Sequence, residues 1–155
     1  MINYLMIKQI SIKTKFGWIS AYEKKGKIFR IKFGKIKKQN KSDILKKFKK
    51  NLKKFINKKT SSISAPYKIE GTKIQKKVWS TLKRIKPGQT KSYGDIAKKY
   101  NLSPRHVGKI CGQNKLLLSI PCHRVIRSDG TIGGFTSIGG INLKRKLLDF
   151  ESSWK

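Results

Sequence analysis

A chain of 155 residues, 37% of them hydrophobic, can bury the core of one domain or of two small ones. None of its apolar runs approaches the roughly 20 residues needed to cross a bilayer. With 39 Lys and Arg against 7 Asp and Glu, the formal charge of +32 points to a polyanionic partner held by counterion release. The excess is mostly Lys alongside abundant Ile and scarce Ala, which AT-rich coding also produces, so motifs rather than charge must assign the partner. Residues 1–12 hold no apolar segment of signal-peptide length with a small-residue cleavage site. Two cysteines occur, Cys111 and Cys122, and they fit neither a disulfide framework nor a haem or zinc spacing. These features predict a soluble cytoplasmic protein with no bound metal.

The first third alternates as an antiparallel sheet does, with strands expected over residues 4–12, 16–22 and 27–33 and a Lys25-Gly26 turn between the last two. Ser42 is placed to cap a helix whose Ile44, Leu45, Phe48, Leu52, Phe55 and Ile56 share one face. The opposite face is lysine and is expected to be solvated. Residues 58–66 are rich in Ser and Thr and read as a linker. This divides the chain into an N-terminal α/β domain with linker over 1–66 and a C-terminal domain over 67–155.

The C-terminal domain opens with a helix expected over about 72–85, ended by Pro87-Gly88. Ser92, with Asp95 three positions on, forms a capping box for a short helix to about Tyr100. Ser103 and Pro104 take the N-cap and N1 positions of another helix, to about Gly112. Two short helices joined by a tight turn form a helix-turn-helix pattern. Its second helix carries Arg105, His106 and Lys109, and Gly108 would let a nucleic-acid backbone come close.

Chemistry concentrates in Pro121-Cys122-His123-Arg124-Val125, just after the apolar run Leu116-Leu117-Leu118. Thiolate is the nucleophile, and a nearby base with local positive charge raises its fraction at neutral pH. A proline before and two basic residues after make a poor core strand, so Cys122 reads as a nucleophile rather than a packing residue. Cys111 lies within the second helix of the pair and reads as a small buried residue.

Several ordered motifs share one resemblance. Thr90-Lys91-Ser92-Tyr93-Gly94-Asp95-Ile96-Ala97, Ser103-Pro104-Arg105-His106-Val107-Gly108, Asn114, Ile120-Pro121-Cys122-His123-Arg124-Val125-Ile126, Gly133-Gly134-Phe135 and Gly139-Gly140 resemble the O6-alkylguanine-DNA alkyltransferase family, from about Ile74 to Glu151. The resemblance implies an α+β fold. A small N-terminal antiparallel sheet with a helix, ribonuclease H-like in outline, precedes a mostly helical, winged helix-turn-helix-like domain carrying the reactive cysteine. It further implies DNA repair by direct, stoichiometric transfer of a methyl or larger alkyl group to Cys122 from O6-alkylguanine, with O4-alkylthymine as a further candidate substrate. No cofactor is implied. The implied partner is double-stranded DNA bearing the lesion, met by a monomer away from membranes.

The resemblance also implies roles for individual residues. His123 takes the thiol proton through a water, and Glu151 orients the imidazole, which repeats triad logic with sulfur. The target base must leave the stack, and Arg105 implies an intercalating finger that fills the gap from the minor groove. Tyr93 is the implied donor to the flipped guanine, and Asn114 fixes the turn before the cysteine through the backbone. Two departures stand out. Lys115 occupies a position where many members have Pro, and Phe135-Thr136-Ser137-Ile138-Gly139-Gly140 replaces Tyr-Ser-Gly-Gly, two residues longer and without the phenol. Thr136 keeps a hydroxyl suited to donate to O6. The alternative reading is a non-catalytic, lesion-recognising helix-turn-helix protein; a cysteine hydrolase is a third, with no oxyanion hole evident in the sequence.

Overall fold

The structure, a computed structural model, describes residues 6–154. They fall into two compact units, one reaching residue 69 and including 115–119, the other formed by 70–114 and the residues from 120 onward.

In the first unit, β1 (Lys8–Thr14), β2 (Gly17–Lys24) and β3 (Lys27–Phe33) form an antiparallel sheet in the order β1-β2-β3. The register sets Ile10, Ala21 and Ile31 in one row and Ile12, Ile19 and Phe33 in the next. All six are buried. This is the period of two that the sequence displays. Lys25 and Gly26 both have positive φ, 52° and 78°, the backbone that a two-residue hairpin of type I′ demands. β1 starts later than the alternation predicts, because Lys8 pairs with Glu23 and β2 turns away two residues on. Residues 4 and 5 of the expected strand lie outside the described residues. Ser42 caps α1 (Asp43–Ile56) by accepting from Leu45 N at 3.2 Å, and α1 buries Leu45, Phe48, Leu52 and Phe55. The outer edge of β3 is occupied by two parallel bridges. Ile28 exchanges hydrogen bonds with Pro66 and Lys68, and Ile31 with Lys115 and Leu117. That pairing satisfies the edge that would otherwise template association.

The second unit contains α2 (Lys73–Lys83), α3 (Tyr93–Tyr100), α4 (Pro104–Gly112) and α5 (Gly140–Ser152), with β4 (Lys91–Ser92) parallel to β5 (Val125–Ile126). The fold is α+β. Capping boxes open α2 (Thr72 with Gln75) and α3 (Ser92 with Asp95), and Ser103 caps α4 with Pro104 at its start. Trp79 of α2 donates its indole N–H to Ile110 O of α4 at 3.1 Å, which satisfies a buried polar atom while tying the two helices. The segment around Cys122 is not a strand, as Pro121 and the two basic residues after the cysteine suggest. Cys122–Arg124 forms a 3-10 turn, and extended chain resumes only at Val125. A strand would send His123 and Arg124 to opposite faces, whereas both are buried and both reach one carboxylate.

Candidate active site

The thiol is held by the end of α4 and by the 3-10 turn. Asn114, two residues past α4, donates from Nδ2 to Ile120 O at 2.8 Å, and its side chain also hydrogen-bonds Cys122. The turn closes through Cys122 N to Ile120 O at 2.8 Å and Arg124 N to Pro121 O at 3.0 Å. Cys122 is 6% exposed. Burial raises its pKa above the ordinary thiol value, while the Asn114 hydrogen bond and the Lys144 charge pull the other way. The resting sulfur is therefore a thiol. It needs a base.

His123 and Arg124 converge on Glu151 of α5. His123 Nε2 lies 3.0 Å from Glu151 Oε1, Arg124 Nε donates to the same oxygen at 2.9 Å, and Arg124 Nη2 donates to Oε2 at 2.6 Å. Arg124 Nη1 donates to Ile85 O at 2.6 Å, so this guanidinium is consumed inside the unit and is closed to any phosphate. Burial pushes the Glu151 carboxyl up, but the Arg124 and His123 hydrogen bonds outweigh it and hold it at about 2. An ionised carboxylate only accepts, so the neutral imidazole must carry its proton on Nε2, which leaves Nδ1 as the basic nitrogen. Burial lowers the His123 pKa, and Glu151 offsets this only in part. The ring is neutral at pH 7, the state a general base requires.

An open cleft of about 740 Å³ is lined by Tyr93, Arg105, Gly108, Cys111, Cys122 and Arg127, with Gly133 to Thr136 forming a further wall. Five of the residues singled out from the sequence, Tyr93, Arg105, Gly108, Cys122 and Thr136, thus meet at one cleft. Asn114, His123 and Glu151 do not line it and are buried. Arg105 and His106 are exposed. A Cβ at Gly133 would fall 2.7 Å from the Tyr93 hydroxyl, so the phenol lies where only glycine fits. A Cβ at Gly108 would meet Tyr93 at an ordinary 3.8 Å, so internal packing alone does not require glycine there. The Thr136 hydroxyl reaches Gly112 O at a long 3.5 Å, which leaves it weakly committed.

Lys144 is absent from the sequence reading. It is 1% exposed and donates from Nζ to the Tyr93 hydroxyl at 3.2 Å and to Gly134 O at 3.3 Å. Burial lowers its pKa, opposed by Cys122 and Cys111. The available signal is spacing, since Lys144, Leu147 and Glu151 share one face of α5, and a Lys seven residues from a Glu on an apolar face must be partnered there. Because Lys144 donates to the Tyr93 oxygen, the phenol's own proton stays available for an acceptor in the cleft. Burial, with the Cys111 and Cys122 thiols, raises Tyr93 to about 12, which keeps that proton in place. Among the described residues, no group of three or more His, Cys, Asp or Glu could hold a metal, and no helix is long and apolar enough to cross a membrane.

A family model described as the DNA-binding domain of 6-O-methylguanine DNA methyltransferase matches residues 73–153, which contain the whole of this arrangement from Tyr93 to Glu151. The methylated-DNA--protein-cysteine methyltransferase of Metallosphaera sedula is 33% identical over 151 residues, 96% of this chain and 95% of that protein. The chain belongs to the 6-O-methylguanine DNA methyltransferase family. The inducible methylated-DNA--protein-cysteine methyltransferase of Bacillus subtilis is 42% identical over 95 residues, 60% of this chain and 52% of that one, so this match spans about half of the relative's length. In structure, Mycobacterium tuberculosis OGT in complex with DNA superimposes with a TM-score of 0.80 at 26% identity, covering 94% of this chain and 93% of that one. Residues 137–139 join the cleft wall to α5, and Ile138 among them is 73% exposed.

Proposed function

We propose that the chain repairs double-stranded DNA by moving a methyl or larger alkyl group from O6 of guanine to Cys122, once per molecule. The observation that carries this reading is a buried thiol lining an open cleft while its sequence neighbour His123 is locked onto an ionised carboxylate. His123 Nδ1 removes the thiol proton, through a bridging water. Sulfur then bonds to the alkyl carbon as the carbon–O6 bond breaks, and guanine leaves with the electron pair. Tyr93, its oxygen already accepting from Lys144, donates toward the departing base. The S-alkylcysteine has no activated carbonyl for water to attack, so the acceptor is not regenerated. No cofactor takes part.

In this reading residues 67–155 bind DNA and accept the alkyl group as a monomer in the cytoplasm, and residues 1–66 form a separate domain. Arg105 fills the gap left by the extruded base, Gly108 lets the backbone approach, and Asn114 holds both the turn and the sulfur. Thr136 turns its hydroxyl from Gly112 to O6. A lesion reader without transfer would have no use for a thiol attended by a buried His–Glu pair. The decisive measurement is intact-protein mass after exposure to methylated duplex DNA, followed by peptide mapping. One methyl on the Cys122 peptide and one equivalent consumed are expected; an unmodified Cys122, or continued repair beyond one equivalent, overturns the reading.

Arg105→Ala is expected to slow repair of methylated duplex by about 10- to 100-fold, since base extrusion costs a few kcal/mol and loses its compensation. Reaction with free O6-benzylguanine should fall far less, and equal losses on both substrates would remove the finger role. Lys144→Met keeps the length of the side chain and deletes the charge that lowers the Cys122 pKa. The rise of the rate with pH should move to higher pH, so the rate at pH 7 falls. An unshifted profile with free O6-benzylguanine would confine Lys144 to packing.

A further inference from the structure

Arg127 lines the cleft with Tyr93, Arg105 and Cys122 but has no part in the relay behind the thiol. Its backbone is fixed within a turn after β5, with its N–H donating to Thr131 O at 3.0 Å and its carbonyl accepting from Gly130 N at 2.9 Å. Asp129, the carboxylate of that turn, accepts at Oδ1 from Thr131 N at 2.9 Å and from Thr131 Oγ1 at 2.7 Å, and it feels the Arg127 charge without forming a hydrogen bond or ion pair with it. The turn also packs close to the start of α3, where a Cβ on Gly94 would fall 2.9 Å from Ser128 Oγ. The Arg127 side chain is exposed, and no hydrogen bond or ion pair engages its guanidinium among the described residues. No carboxylate lines the cleft. Arg127 also acts electrostatically on Tyr93, on the same rim.

A charged fork on a hydrogen-bonded turn, beside a helix N-terminus and with no hydrogen bond or ion pair to an acid, has the geometry that binds a phosphate in two-point fashion. Arg124 is the informative contrast. It too follows the cysteine, yet all three of its nitrogen donors are spent on Glu151 and Ile85. We propose that Arg127 clamps the DNA phosphate next to the extruded nucleotide, so that the sugar-phosphate is held at the rim while the base enters toward Cys122. The proposal rests on the alkyl-transfer reading and adds to it a residue for which nothing in the base chemistry calls.

The test compares full-length wild type, Arg127→Ala and Arg127→Lys on methylated duplex and on free O6-benzylguanine, which carries no phosphate. Arg127→Ala should lose about tenfold more on the duplex than on the free base, and its plot of log affinity against log salt should be shallower by about one phosphate contact. Arg127→Lys should restore the salt slope but only part of the duplex rate, because Lys keeps the charge and lacks the fork. Equal losses of Arg127→Ala on both substrates, or an unchanged salt slope, overturn the clamp while leaving transfer to Cys122 intact. If wild type itself acquires no label on Cys122 from the free base, the transfer reading fails and the clamp fails with it.

Discussion

Replacing Cys122 by Ala leaves a protein whose mass does not change on incubation with methylated duplex DNA, however long the exposure. The loss is complete rather than partial because the sulfur is a reactant; there is no slower route in which water completes the transfer on the protein. Cys111 lines the same cleft, and burial raises its pKa as it raises that of Cys122. Removing one buried sulfur costs about 1 kcal/mol of packing, so the variant should fold and retain DNA binding. A gel shift unchanged from wild type beside an unchanged mass is the expected pair of results. A methyl group found anywhere on the Cys122→Ala protein would move the acceptor elsewhere.

Elements set by local chemistry were legible in the sequence. Ser42, Ser92 and Ser103 cap the helices for which their side chains mark them, and the Lys25-Gly26 turn adopts the positive φ that its residues tolerate. Cys122, Tyr93, Arg105, Gly108 and Thr136 were named from motifs and line one cleft. What escaped was decided at long range. Lys144 and Tyr93 are 51 residues apart and meet through a hydrogen bond that no local pattern encodes. The 3-10 turn at Cys122 follows from the need of two adjacent basic side chains to reach a carboxylate 27 and 28 residues away. Leu116, in the apolar run before the cysteine, pairs beside Ile31 in the first unit, a long-range pairing that the run itself does not encode.

Burial is the common cause behind the site's electrostatics. It holds the Cys122 proton on, takes the His123 proton off and pushes the Glu151 carboxyl up against the Arg124 and His123 hydrogen bonds that hold it down. A neutral thiol beside a neutral base suits a protein that must wait, because thiolate appears only when proton transfer is coupled to attack. Arg124 does more than neutralise Glu151. By taking part of the carboxylate's charge it keeps His123 from becoming a permanent cation, which could accept no proton.

Glu151→Gln therefore has two separable consequences. The Arg124 guanidinium, 4% exposed, loses its anion, and breaking a buried pair by removing one partner costs about 3 kcal/mol or more. The amide can also donate, so it no longer dictates that His123 carries its proton on Nε2. The fraction of imidazole with a basic Nδ1 falls, and reaction with free O6-benzylguanine should drop by about 100-fold or more per folded molecule, as loss of an orienting carboxylate does elsewhere. Stability against pH isolates the first effect. The Glu151 pKa is depressed from 4.5 to about 2, so its contribution is complete above its unfolded value and is lost as pH falls from about 4.5 toward 2. Thermal melts should then show wild type more stable than Glu151→Gln at pH 6, with the gap closing across that window. A gap that stays constant down to pH 2 would mean that the carboxylate's charge does not hold Arg124 in place. A variant that melts lower yet reacts at the wild-type rate per folded molecule would leave Glu151 a scaffold for Arg124 with no part in orienting the base.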